Sequence, residues 1–309
     1  MLDGILFFPI TPFAEDDTVD HAVLKAHLER GLTFGPGGIF IACGTGEFHA
    51  LAPEEFGEIV STAVSTTAGR VPVYAGAGGP IALAKQLARK AADAGADGLL
   101  LLPPYLVGSP ADGLIDYVKA LANATDLPII VYHRGNAQFT VTGAVEVSRI
   151  PNVVGFKDGV GDLDLMSRIV RAVVDSTTAA GKEFQFFNGL PTAEASQAAY
   201  RAIGVELYSS ATFAFAPDLS VAFYNSLAEG NKELTSALNR EFFHPLVELR
   251  DRVPGYAVAL VKAGAHLGGI KAGSVRPPLR NASAEHIAEL AGILAAGRKV
   301  LAGQKVLVR

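Results

Sequence analysis

Lys157 stands in the stretch Val153-Val154-Gly155-Phe156-Lys157-Asp158-Gly159-Val160-Gly161-Asp162. A short apolar, β-branched run meets a lysine and is then broken by glycines and aspartates, a pattern that predicts a strand ending at the lysine and a helix starting at Asp162. Side chains alternate along a strand, so Val153, Gly155 and Lys157 share one face, with little bulk beneath the lysine if that face looks into a barrel. An ammonium held there is partly desolvated, which lowers its pKa and leaves some free amine near neutral pH. A lysine that attacks a ketone to form a Schiff base needs that free amine. The competing reading is a strand-end lysine whose stem covers apolar surface while its head reaches water.

Other polar residues fall at the ends of similar apolar runs. Cys43-Gly44-Thr45-Gly46-Glu47 offers backbone N–H groups and a hydroxyl suited to a carboxylate, although Thr45 and Glu47 could equally serve as caps. Pro103-Pro104-Tyr105, Tyr132-His133-Arg134, Asn188-Gly189 and Tyr208-Ser209-Ser210 close four more runs. Tyr132 is a candidate acid–base phenol or a core tyrosine, Arg134 a ligand for an anion or a surface cation, and Ser209 a ligand or an ordinary strand end. His133, one residue from Tyr132, points to the opposite strand face and is expected to be structural. Cys43 has no CxxC partner and reads as a small buried hydrophobe. The seven histidines are scattered without HxH or HExxH spacing, so no metal is expected.

The elements that must position these residues alternate. Apolar runs at Ile5–Ile10, Gly38–Cys43, Val71–Gly76, Gly98–Leu102, Pro128–Tyr132, Val153–Lys157, Phe184–Asn188 and Val205–Ser209 predict buried strands. Helical periodicity lies between them, including Pro53–Ala68, Leu163–Thr177 and Thr192–Ile203, with Asp20, Ser109 before Pro110, Thr140 and Asp162 as caps or near-caps. This order predicts an α/β (β/α)8 TIM barrel, whose chemistry sits where the strands end. A doubly wound sheet would alternate too, but no GxGxxG follows the first strand. After Gly230 the texture becomes helical at Lys232–Arg250, Gly255–Leu267 and Ala284–Leu301. The expected division is a catalytic barrel over 1–230 and a C-terminal helical extension over 231–309.

Composition narrows the function classes. The chain of 309 residues carries a net charge of −5 and no Lys/Arg cluster, which argues against a nucleic-acid surface. A single cysteine excludes an intrachain disulfide and suits a reducing compartment. The N-terminus lacks a basic n-region, and the apolar runs are too short to span a membrane. A soluble, cytoplasmic protein is expected.

Together, GTGE after the second strand, a tyrosine ending the fifth and GFKD ending the sixth resemble the dihydrodipicolinate synthase / N-acetylneuraminate lyase superfamily of Schiff-base barrels. The resemblance covers essentially the whole chain. Within it, GTGEF, PPYL, GFKDGVGD, GLPTAE and YSSA look most like the 5-dehydro-4-deoxyglucarate dehydratases. Leu106 stands where the synthases usually carry a second tyrosine, and Gly44-Thr45 where they carry two threonines. His133 and Gly135 depart from the dehydratase pattern of a polar residue and an aspartate.

The resemblance implies that Lys157 forms the Schiff base, that Tyr132 transfers protons, and that Gly44 and Thr45 bind the carboxylate beside the ketone. Arg134, Asn188, Thr192 and Ser209 are the candidates for the far carboxylate. The implied substrate is a keto-deoxy sugar diacid, dehydrated and decarboxylated to 2,5-dioxopentanoate with no cofactor beyond the lysine itself, in a homotetramer built as a dimer of dimers. Two alternatives remain open: an aldolase or synthase-like enzyme using the same lysine, and a non-catalytic sugar-acid-binding barrel.

Overall fold

The structure, a computed structural model, describes residues 1–307; residues 308 and 309 of the expected extension lie outside the described residues. Eight parallel strands close on themselves in sequence order: β1 (Leu6–Phe7), β2 (Gly38–Ile41), β3 (Val73–Ala77), β4 (Gly98–Leu101), β5 (Ile129–His133), β6 (Val153–Asp158), β7 (Gln185–Asn188) and β8 (Leu207–Ser210). Helices α1 (His21–Leu32), α2 (Pro53–Thr67), α3 (Ile81–Asp93), α4 (Ala111–Ala122), α5 (Val141–Ser148), α6 (Leu163–Ala179), α7 (Glu194–Ala202) and α8 (Pro217–Ala228) follow the strands in turn. Strands covered on the inside by side chains and on the outside by helices are buried on both faces, which is why they read as unbroken apolar runs.

The predicted strands are all present, several of them shorter than expected. Only Leu6 and Phe7 pair in β1, next to β2 and β8, because Pro9 has no N–H to extend the ladder. Asp20, Thr140 and Asp162 cap α1, α5 and α6 by accepting the N–H groups of Val23, Gly143 and Leu165. Ser109 does not cap α4; Pro110 occupies the cap position without a side-chain bond. Helix α7 begins later than predicted, since Thr192 takes a left-handed conformation (φ +52°).

The C-terminal segment forms α9 (Lys232–Leu238), α10 (His244–Asp251), α11 (Tyr256–Leu267) and α12 (Ala284–Leu307). The single helix expected over Lys232–Arg250 is interrupted by a wide π-type turn at Asn239–Phe243. Pro245 offers no N–H to the carbonyl one turn back, so the ladder widens just before it. The break also directs Phe242 and Phe243 inward, where Phe243 packs edge-on against Phe223 of α8 at 4.8 Å.

Candidate active site

Strand register decides which side chains enter the barrel. Tyr132 lies level with Lys157, and Lys157 with Phe187; residues level on neighbouring parallel strands face the same way, so these three look inward. His133, Asp158 and Asn188 form the next level and look outward. Gly155, two residues before Lys157, leaves the space filled by the Phe187 ring, whose Cε2 would be 2.8 Å from a Cβ there.

A cavity of about 540 Å³ opens at the strand C-terminal ends, lined among others by Phe8, Gly44, Thr45, Tyr132, Arg134, Lys157 and Ser209. Its size suits a small organic acid. Lys157 is 4% exposed. Its Nζ lies 4.2 Å from the centre of the Phe8 ring and 4.4 Å from that of Tyr132. Among the described residues it has no ion-pair partner. Burial pushes its pKa down from 10.5 to about 7, assisted by the nearby Arg134 charge. An ionised Cys43 would oppose this, but burial pushes that thiol up to about 12, so it stays neutral while the lysine titrates.

The Tyr132 hydroxyl donates to the Gly189 carbonyl at 2.6 Å and accepts from Arg134 Nη1 at 2.9 Å. Burial raises its pKa despite the arginine, so the phenol carries its proton at neutral pH. Arg134 belongs to a short loop closed by paired backbone bonds with Ala137. His133 supports that loop from behind: its Nδ1 accepts the Phe139 N–H at 2.8 Å, while Nε2 lies 4.0 Å from Asp158. Burial lowers the His133 pKa, with Asp158 acting against it. Asp158 accepts the Val160 N–H and the Tyr200 hydroxyl and fixes the backbone just past the lysine.

Six of the eight candidate residues therefore meet at the cavity: Lys157, Tyr132, Gly44, Thr45, Arg134 and Ser209. Asn188 and Thr192 are not among its lining residues. Asn188 faces out of the barrel, where its amide donates to Ala193, Ser196 and Gln197 and its Oδ1 accepts the Leu190 N–H. All its capacity goes to shaping the β7–α7 turn. The Thr192 hydroxyl accepts from Arg250 of α10 at 3.0 Å instead.

Several wall residues carried no signal in the sequence. Phe8 and His49 line the cavity, as do Val258, Val261 and Leu279 from the C-terminal segment. Phe8 lies within the predicted strand Ile5–Ile10, just past the end of the observed β1, so its position was accessible; the others are brought in by tertiary packing alone. No group of three or more His, Cys, Asp or Glu among the described residues could hold a metal ion. Among the described residues, no helix is long and apolar enough to cross a membrane.

Comparison with known proteins gives consistent matches. A curated relative from Streptomyces griseus, named a probable 5-dehydro-4-deoxyglucarate dehydratase, is 54% identical over 299 residues, covering 97% of this chain and 93% of the relative. A second, from Streptomyces coelicolor and named probable 5-dehydro-4-deoxyglucarate dehydratase 1, is 53% identical, covering 96% and 93%. The crystal structure of dihydrodipicolinate synthase from Oceanobacillus iheyensis superposes with a TM-score of 0.87 at 26% identity, covering 96% of this chain and 97% of that one. The model of the dihydrodipicolinate synthetase family matches residues 1–297. A barrel closed in this order, with this lysine at the end of its sixth strand and a match across nearly its whole length, belongs to the dihydrodipicolinate synthetase family.

Proposed function

We propose that the chain is a Schiff-base lyase that converts 5-dehydro-4-deoxy-D-glucarate to 2,5-dioxopentanoate, CO2 and water. The observation that carries the reading is an inward-facing lysine, buried and, among the described residues, without a counter-ion, with a pKa pushed down to about 7 beside a protonated tyrosine. The names of the curated relatives supply the substrate.

The residues account for each step. The free amine of Lys157 attacks the ketone, and loss of water gives an iminium. To Tyr132, hydrogen-bonded to Gly189 and Arg134, we assign the passing of protons at this stage. The iminium acidifies the adjacent methylene; removal of that proton gives an enamine, which expels the hydroxyl one carbon further on. The resulting conjugated iminium accepts the electron pair of the carbon–carbon bond as the far carboxylate leaves as CO2. The dienamine that forms is protonated on the carbon beside the nitrogen-bearing one, restoring the iminium, its enol end tautomerises to the aldehyde, and addition of water to the iminium frees the lysine. The lysine alone provides the electron sink throughout.

For the carboxylate beside the ketone we assign Gly44 and Thr45, and for the far carboxylate Arg134 and Ser209, all of which line the cavity. A homotetramer follows from the family resemblance. The exposed apolar group Tyr105, Leu106 and Val107 is consistent with burial between subunits; sedimentation measures the assembly. A cytoplasmic location is part of the same reading.

The test is incubation with 5-dehydro-4-deoxyglucarate and borohydride, with peptide mapping of the adduct and a parallel assay for CO2. A reduced adduct on Lys157 together with CO2 and the semialdehyde supports the dehydratase. Pyruvate in place of CO2 would make the chain an aldolase, and folded protein without an adduct would return Lys157 to a structural role.

A further inference from the structure

The loop that follows β2 is bracketed by two left-handed non-glycine residues, Ala42 (φ +49°) and Glu47 (φ +58°). Left-handed backbone is unfavourable for side chains with a Cβ and persists only where the surroundings impose it. Between them, Cys43 to Gly46 form a tight turn closed by the Glu47 N–H to the Gly44 carbonyl at 3.2 Å and the Phe48 N–H to the Cys43 carbonyl at 3.1 Å. Thr11 bonds the Gly46 carbonyl at 2.7 Å from below. This turn places Gly44 and Thr45 at the cavity.

The Glu47 side chain is fully buried, and both its oxygens are met by the C-terminal extension. Lys262 of α11, itself 3% exposed, places Nζ 2.6 Å from Oε1. The Arg276 N–H donates to Oε2 at 2.8 Å. Lys262 is fixed in turn by the Ser274 carbonyl at 2.7 Å. Its ammonium lies 4.1 Å from the centre of the Phe13 ring, and the Arg276 guanidinium lies 4.0 Å from the same ring. Arg276 also reaches Glu55 of α2 with two bonds. One side of α11 thus lines the cavity through Val258 and Val261, while the next residue, Lys262, holds the turn that carries Thr45.

We propose that Lys262 is a positioning residue: through its buried pair with Glu47 it fixes the turn that receives the carboxylate beside the substrate's ketone. The inference rests on assigning that carboxylate to Gly44 and Thr45. A buried pair of this kind is a costly way to gain stability, since both charges lose water. Its value here is positional: in this turn conformation Glu47 holds Oε1 against the Lys262 ammonium and accepts the Arg276 N–H at Oε2. Lys262 is not among the charges that shift the Lys157 pKa, so its role is separable from activation of the amine.

The experiment uses pyruvate, the smallest acid with a carboxylate beside a ketone, as probe on the full chain. Binding is measured by calorimetry, and adduct formation on Lys157 by borohydride trapping at saturating pyruvate across pH. Lys262→Met is expected to raise the pyruvate Kd roughly tenfold, as displacement of a positioning group does, while the saturating trapping rate and its pH midpoint stay at the wild-type values. Loss of one partner leaves a buried charge uncompensated and can prevent folding. The neutral double variant Lys262→Met/Glu47→Gln avoids this and is expected to show the same rise.

A folded single or double variant with the wild-type Kd, even with a lowered Tm, would overturn the proposal. Wild-type protein that binds pyruvate but gives no reducible adduct would sink the Schiff-base reading, while the Kd comparison would still decide the role of Lys262. Wild-type protein that binds no pyruvate would overturn both.

Discussion

Lys157 is set apart by what surrounds it: two aromatic rings, a neutral thiol and a neighbouring arginine. A folded-state pKa near 7, against 10.5 for an ordinary lysine, has two consequences. Between about pH 7 and 10.5 the unfolded chain holds a proton that the folded chain has released, so stability rises with pH over that window. The penalty is fully present below about pH 7, and each unit of depression corresponds to about 1.4 kcal/mol. We expect Lys157→Met to raise Tm at about pH 6 and the gain to shrink towards about pH 10; an equal effect at both would refute the assignment. The second consequence is kinetic: the second-order rate of adduct formation should rise through about pH 7. Tyr132→Phe removes the phenol that bridges Gly189 and Arg134, and we expect it to keep the borohydride adduct while lowering turnover by ~10²–10⁴-fold. That Tyr132 and His133 face opposite ways and that Gly155 lies on the face of Lys157 was legible in sequence, because side chains alternate along a strand.

Element by element, the limit of that legibility is the register between strands. The pattern of β7 predicts its existence, but whether Asn188 faces in or out depends on its pairing with Asp158, which no local signal encodes. The same turn carries a constraint that can be measured. A Cβ on Gly189 would lie 2.6 Å from Lys157 Cε and 2.7 Å from its Cγ. We expect Gly189→Ala to displace the lysine stem and slow adduct formation at least about tenfold, an off-rotamer cost concentrated on the reacting side chain. An unchanged trapping rate would show that the stem can yield. Thr192 was lost to the prediction for a related reason: its left-handed backbone swings the hydroxyl to Arg250, a long-range partner.

For the whole molecule, the boundary at residue 230 marks a change of texture in the sequence. We propose that 1–230 and 231–309 nevertheless unfold together. Val258, Val261 and Leu279 line the cavity, Lys262 meets Glu47 inside the protein, and Phe243 packs on Phe223. None of these contacts was readable from periodicity, since each joins residues far apart in the chain. Cys43 gives the molecule a clock for this unit. It is the sole cysteine, fully buried, with a thiol held protonated by its surroundings, so an alkylating reagent can modify it only in molecules that have opened. If the unit is cooperative, labelling of Cys43 along a denaturant series will coincide with loss of helical circular dichroism. Labelling that precedes the helical transition would mean that the mouth of the barrel breathes on its own.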